Sequence, residues 1–163
     1  MIRLTALFAG LLALTLYMPA HAVKDGQVFN DWKTQCPEKG ASSKTCHIFQ
    51  NLVAKDGKSR VLHIAIGYVE GRDDPAAIIT LPLGLSLPQG VGLRVDENTP
   101  SRHPYQACFN SGCQAGFPVD STLMAQLRGG DKAYIRVYDL SNQQIDIPIS
   151  LSGFTAAIKA VQN

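Results

Sequence analysis

The chain is poor in charge and in aromatic residues: 17% of its 163 residues are Asp, Glu, Lys or Arg, 7% are aromatic, and there is one tryptophan. Ordinary soluble domains carry about 25% charged residues. With a formal net charge of only +2, no overall field draws this protein towards nucleic acid or an acidic surface. Reactive signatures are missing as well. No C-x-x-C is present, which removes the usual spacing for a redox dithiol. Gly84-Leu85-Ser86-Leu87-Pro88 lacks the second glycine that a nucleophile elbow needs for its sharp turn, and Gly129-Gly130-Asp131-Lys132 lacks the spaced glycines of a phosphate loop. Asp73-Asp74 and Asp96-Glu97 are adjacent acids, read as solvated turns rather than an opposed acid and base. No catalytic residue and no cofactor are expected.

Long apolar runs are confined to one place. Met1-Ile2-Arg3 gives a short positive start, Leu4 to Met18 is almost uninterruptedly apolar, and Ala20-His21-Ala22 has the small residues that a signal peptidase inspects. The run is shorter than the roughly 20 residues of a spanning helix. We therefore expect residues 1–22 to be a cleaved signal peptide and residues 23–163 to be a single domain, with no stable membrane insertion after cleavage. Loss of Arg3 with the leader leaves 14 basic residues against 13 acidic ones.

What the mature chain does have is a succession of short Val-, Ile-, Tyr- and Thr-rich runs between turn-forming clusters, the pattern of a mostly β sandwich or barrel. Strands are expected over Val28 to Gln35, Thr45 to Leu52, Arg60 to Val69, Ala76 to Leu81, Val91 to Val95, Tyr105 to Phe109, Ala133 to Tyr138 and Gln144 to Leu151. Asp56-Gly57 signals a hairpin. Pro148 places the last strand at an edge or bulge. Two short helices are expected: one capped by Asp120 or Ser121 and stopped by Gly129-Gly130, the other burying Phe154, Ala157, Ile158 and Val161 at helical spacing. Pro82 to Gly92 reads as an ordered crossing loop or bent strand.

Four cysteines allow three pairings. Cys36 with Cys46 and Cys108 with Cys113 closes two short loops, and is favoured because local pairs are geometrically easy and an exported chain meets oxidising conditions. A zinc site is not expected: Cys46 and His47 are neighbours on a strand and point to opposite faces, and His63 sits among Val61, Leu62, Ile64 and Ile66. The lone Trp32 reads as a core residue. Arg102, Tyr105 and Phe109, around the Cys108 to Cys113 loop, are the candidate contact surface, since arginine and aromatics anchor interfaces and a crosslinked loop loses less entropy on binding. The alternative is that the bridge merely pins a strand end and Phe109 faces inward.

Four stretches together resemble the invasion-associated locus B family of bacterial exported proteins: Phe29-Asn30-Asp31-Trp32-Lys33-Thr34-Gln35-Cys36, Leu81 to Val91 (LPLGLSLPQGV), Cys108-Phe109-Asn110-Ser111-Gly112-Cys113, and Leu151-Ser152-Gly153-Phe154-Thr155-Ala156-Ala157. Asn30 stands where the family usually has glycine. The resemblance implies an immunoglobulin-like antiparallel β-sandwich, a periplasmic, secreted or cell-surface location, and a part in host-cell invasion or colonisation by some pathogens. It implies no catalytic residues, and the expected function is that of a non-enzymatic exported binding module whose partner is an envelope or host protein. The rival expectation is a periplasmic carrier of a small molecule or glycan, held between the sheets or beside Pro82 to Gly90.

Overall fold

The structure, a computed structural model, describes residues 23–37 and 46–162. The expected leader, residues 1–22, lies outside the described residues. Eleven strands and two helices follow: β1 (Val28–Phe29), β2 (Trp32–Gln35), β3 (His47–Val53), β4 (Arg60–Gly67), β5 (Ala76–Leu81), β6 (Val91–Val95), β7 (Ser101–His103), β8 (Ala107–Phe109), β9 (Gly112–Pro118), α1 (Ser121–Gly129), β10 (Lys132–Tyr138), β11 (Gln144–Ser150) and α2 (Phe154–Val161). They form two antiparallel sheets, one ordered β1-β2-β3-β4-β5-β9-β8 and the other β11-β10-β6-β7. The mostly β, two-sheet architecture expected from the strand pattern is what the chain adopts.

Strand alternation decides which side chains meet. From the larger sheet Trp32, Ile48, Leu62, Ile64, Ile66, Ala77, Ile79 and Leu81 are buried; from the smaller sheet Val91, Leu93, Val95, Ala133, Ile135, Val137, Ile147 and Ile149 are. Each set recurs at every second residue, so one face of each sheet is dry. Helix α2 adds Phe154, Ala157, Ile158 and Val161, all fully buried, while Lys159 stays exposed. Trp32 is 0% exposed and meets Phe154 edge to face, ring centroids 5.2 Å apart. Its indole Nε1 donates to the Ser150 carbonyl at 3.0 Å, so the only polar atom of that ring is satisfied.

Local chemistry sets the ends of the elements. The Asp120 side chain accepts from the Leu123 amide at 2.8 Å and caps α1, and Gly130 is its C-cap. Gly57 adopts φ +68 in the β3–β4 turn. Strand β11 is an edge strand, as Pro148 requires. Residues 87–89 form a short 3-10 turn within the Pro82 to Gly92 crossing.

Two strands were not expected, and one expected strand is broken. Strand β9 carries Gly112, Gly116 and Pro118, which lower strand propensity, yet it pairs along its length with β5. Gly116 is small because the Gln106 side chain lies where a Cβ would stand and donates to the Gly116 carbonyl at 2.9 Å. Strand β7 is only three residues and follows the Thr99-Pro100 loop. The run Val28 to Gln35 folds back on itself at Asn30-Asp31, giving β1 and β2. Asn30 has φ 51, the left-handed region glycine favours and asparagine tolerates, so it performs the glycine's turn.

Candidate functional site

The four stretches singled out in the sequence come together as two pairs. Asp31 N donates to the Ser152 carbonyl at 3.4 Å, Asn30 Nδ2 to Ser152 Oγ at 3.1 Å, and a Cβ on Gly153 would overlap the Phe29 carbonyl. With the Trp32–Phe154 contact, the first and last stretches form a structural knot. The middle two meet where Leu81 pairs with Cys113 and Gly112, at φ +127, sits against the Leu81 carbonyl with no room for a side chain. This second pair borders an open groove of about 360 Å³, lined by Arg60, Thr80, Leu81, Pro82, Leu83, Asn110, Ser111 and Gly112.

The turn that lines the groove, Asn110 to Gly112, is closed by the Cys108–Cys113 disulfide, and a second disulfide joins Cys36 to Cys46. Both bridges are the pairing favoured from spacing. Cys108 and Cys113 face each other across the β8–β9 hairpin, which holds Phe109 at its end, 55% exposed. Arg60 reaches across the groove, its Nη2 donating to the Ser111 carbonyl at 3.3 Å. Nothing in the sequence tied Arg60 or Leu83 to the hairpin; only the β4-β5-β9 order does.

The three candidate contact residues do not form one continuous face. Arg102 pairs with Gly92, which carries the outward-facing Arg136 side chain above it, so Arg102 points out from the smaller sheet. Phe109 follows the parity of Ala107 and Gln114 and points out from the larger one. Tyr105 lies in the crossing between them; it packs partly against the core, and its hydroxyl is buried with no hydrogen-bond partner among the described residues. Burial pushes the Tyr105 hydroxyl pKa up.

The two outer faces differ in character. The smaller sheet shows a charged lattice: Arg136 makes a bidentate pair with Asp146 at 2.8 Å, and Arg94 lies 4.4 Å over the Tyr134 ring. The larger sheet shows His47, Phe49, His63, Ala65, Gly67 and Ile78, with Phe49 and His63 rings 5.7 Å apart. Cys46 is buried and His47 faces outward, as their adjacency requires. Among the described residues no three His, Cys, Asp or Glu cluster as metal ligands. Ser101 Oγ lies 2.9 Å from His103 Nε2, but the His103 ring is stacked at 3.7 Å on Phe117, and no carboxylate among the described residues orients it, so the pair reads as packing rather than nucleophile and base.

Half-burial lowers the pKa of His47, His63 and His103 by desolvation; Arg60 and His47 lower that of His63 further, while Asp25 partly opposes the shift at His47. A histidine depressed in the fold is protonated more readily when unfolded, so its stability contribution is present above about pH 6.5 and is lost as pH falls through that value towards the folded pKa. Thermal unfolding across about pH 7 to 5 is expected to show a falling midpoint, and His63→Gln to flatten that slope. An unchanged slope in the variant would remove His63 from the account.

The fold and groove define a disulfide-pinned, two-sheet β domain whose conspicuous surface feature is a crosslinked loop. The chain belongs to the invasion-associated locus B family, whose model matches residues 32–162. It is 26% identical over 160 residues to invasion protein B homologs of Brucella abortus strain 2308 and of biovar 1 strain 9-941, covering 94% of this chain and 88% of each relative. The crystal structure of invasion associated protein B from Bartonella henselae superposes with a TM-score of 0.72 at 19% identity, covering 83% of this chain and 94% of that one.

Proposed function

We propose that this protein is an exported, non-enzymatic binding module of the bacterial envelope, periplasmic or at the cell surface, which grips a segment of an envelope or host protein in the groove beside the crosslinked β8–β9 hairpin. The observation that carries the reading is Phe109, more than half exposed at the end of a hairpin pinned by the Cys108–Cys113 bridge, whose turn residues Asn110, Ser111 and Gly112 line the open groove. An aromatic anchor on a pre-ordered loop binds with little entropic cost. The relatives' names, invasion protein B homologs, support a role in host-cell invasion or colonisation.

Crosslinking in the protein's own cells, with mass spectrometry of captured proteins and a surface-protease check, tests this. Phe109→Ala is expected to weaken capture of the principal partner about tenfold or more, as a truncated hot-spot aromatic does, with the unfolding midpoint little changed. Undiminished capture by a folded Phe109→Ala protein would sink the site.

Against the interior version of the carrier reading stands the void between the sheets bounded by the described residues Trp32, Ile64, Leu93, Phe117 and neighbours, which is about 10 Å³, room for no more than a water. The groove keeps its exterior version, because about 300 Å³ is where small-molecule sites begin. An extra mass on the purified protein under native mass spectrometry would favour it.

A further inference from the structure

We infer that the loops around this groove form a peripheral docking surface for an anionic lipid bilayer, which turns the groove towards the membrane. Nine large apolar side chains are exposed among the described residues, and five of them, Val53, Leu83, Leu87, Phe109 and Leu140, stand on loops or strand ends that meet here. The linkage is direct. Arg60, next to the β3–β4 turn, bonds Ser111 in the β8–β9 turn and shares the groove with Leu83. Further along the same crossing, Leu85 bridges to Asp139, Ser86 N donates to the Tyr138 carbonyl at 2.9 Å, and Ser86 Oγ donates to Asn142 Oδ1 at 3.2 Å. Leu140, at the tip of that last turn, is 76% exposed.

Leucines dominate this set, and leucine is under-represented among protein-interface hot spots. Val53, Leu87 and Leu140 stand on separate loops or strand ends outside the groove's own lining, so a protein segment held in the groove leaves them uncovered. A bilayer interface accepts individual leucine and phenylalanine side chains among its headgroups.

Charge selects the lipid. Lys55, Lys58 and Arg60 flank the tips and form no ion pair among the described residues, and the Arg102 side chain lies beside Gly90 at the far end of the crossing. The two acids nearby have their carboxylates engaged by the amides of their own turns. Asp56 accepts from the Lys58 and Ser59 amides, and Asp139 from the Ser141 and Gln143 amides. The small overall charge thus conceals a locally basic, leucine-tipped end, the combination that adsorbs reversibly to anionic headgroups. No helix among the described residues is long and apolar enough to cross a membrane, and adsorption needs none.

This inference stands apart from partner recognition and has its own test. The protein of residues 23–163 is sedimented with vesicles of phosphatidylcholine, with and without an equimolar share of phosphatidylglycerol. Binding is expected only with the anionic lipid, and is expected to fall as salt is raised. Leu87→Asp with Leu140→Asp is expected to reduce partitioning about tenfold or more at an unchanged unfolding midpoint, because both side chains are already in water. Lys55→Glu with Lys58→Glu, a second surface pair, is expected to do likewise. Absence of binding to anionic vesicles at low salt, or binding indifferent to both folded double variants, overturns the inference. Phe109→Ala separates the two readings: loss of partner capture with vesicle binding largely retained leaves both standing, whereas failure of the vesicle arm alone removes only this one.

Discussion

Trp32→Ala is expected to be among the most damaging single substitutions in the chain, lowering the free energy of unfolding by about 3–5 kcal/mol, the range for a large aromatic truncated in a packed core. Trp32 is fully buried, packs edge to face on Phe154, and sits where the first and last family stretches meet. Its removal also takes one donor from the Ser150 carbonyl, leaving the Gln50 amide at 3.1 Å. Domains of this size are stable by only about 5–15 kcal/mol, so the variant should be partly unfolded near body temperature. Urea titration followed by far-ultraviolet circular dichroism measures it, with Trp32→Phe as the control that keeps an aromatic ring against Phe154 and should lose less. A shift no larger than that of a surface substitution would show that the knot between strand β2 and helix α2 is not a stability centre.

Breaking both disulfides is expected to have a comparable effect. Cys36 and Cys46 are 10 residues apart, Cys108 and Cys113 only 5. By loop-closure entropy each bridge contributes about 2–3 kcal/mol, roughly 5 kcal/mol together. Alanine pairs report the two contributions separately under urea. The β8–β9 pair should also loosen the groove, because Gly112 and Phe109 rely on that hairpin for their positions; partner capture should fall there, and not in the Cys36/Cys46 pair. Equal loss of capture in both pairs would assign the effect to global stability.

Much of the fold could be read from the residues, because the period-2 runs of β4, β5, β6, β10 and β11 and the i, i+3, i+4, i+7 stripe of α2 report burial directly. Asp120 and Gly129-Gly130 bounded α1 through known capping chemistry. Strand β9 escaped because its glycines answer to tertiary neighbours: Gly112 to the Leu81 carbonyl and Gly116 to Gln106. Those neighbours are invisible until the strand order is known. The contact surface was legible only in part. Phe109 stands exposed at the end of the crosslinked hairpin, but the residues that line the groove beside that hairpin's turn, Arg60 at the start of β4 and Leu83 just after β5, are far off in sequence. Arg102 and Phe109, seven residues apart, point out from different sheets because the chain changes sheet between them.

The sheet borders carry one further consequence. Of the four outermost strands, β1 has two residues and β7 and β8 have three each. The fourth, β11, contains Pro148, and the carbonyl of its last residue, Ser150, already accepts from Trp32 and Gln50. Among the described residues, then, three borders are too short to template another chain, and the fourth is interrupted by a residue without an amide proton. Sheet extension is thereby disfavoured as a way of joining another chain to the described borders, and recognition through side chains on the loops is favoured instead.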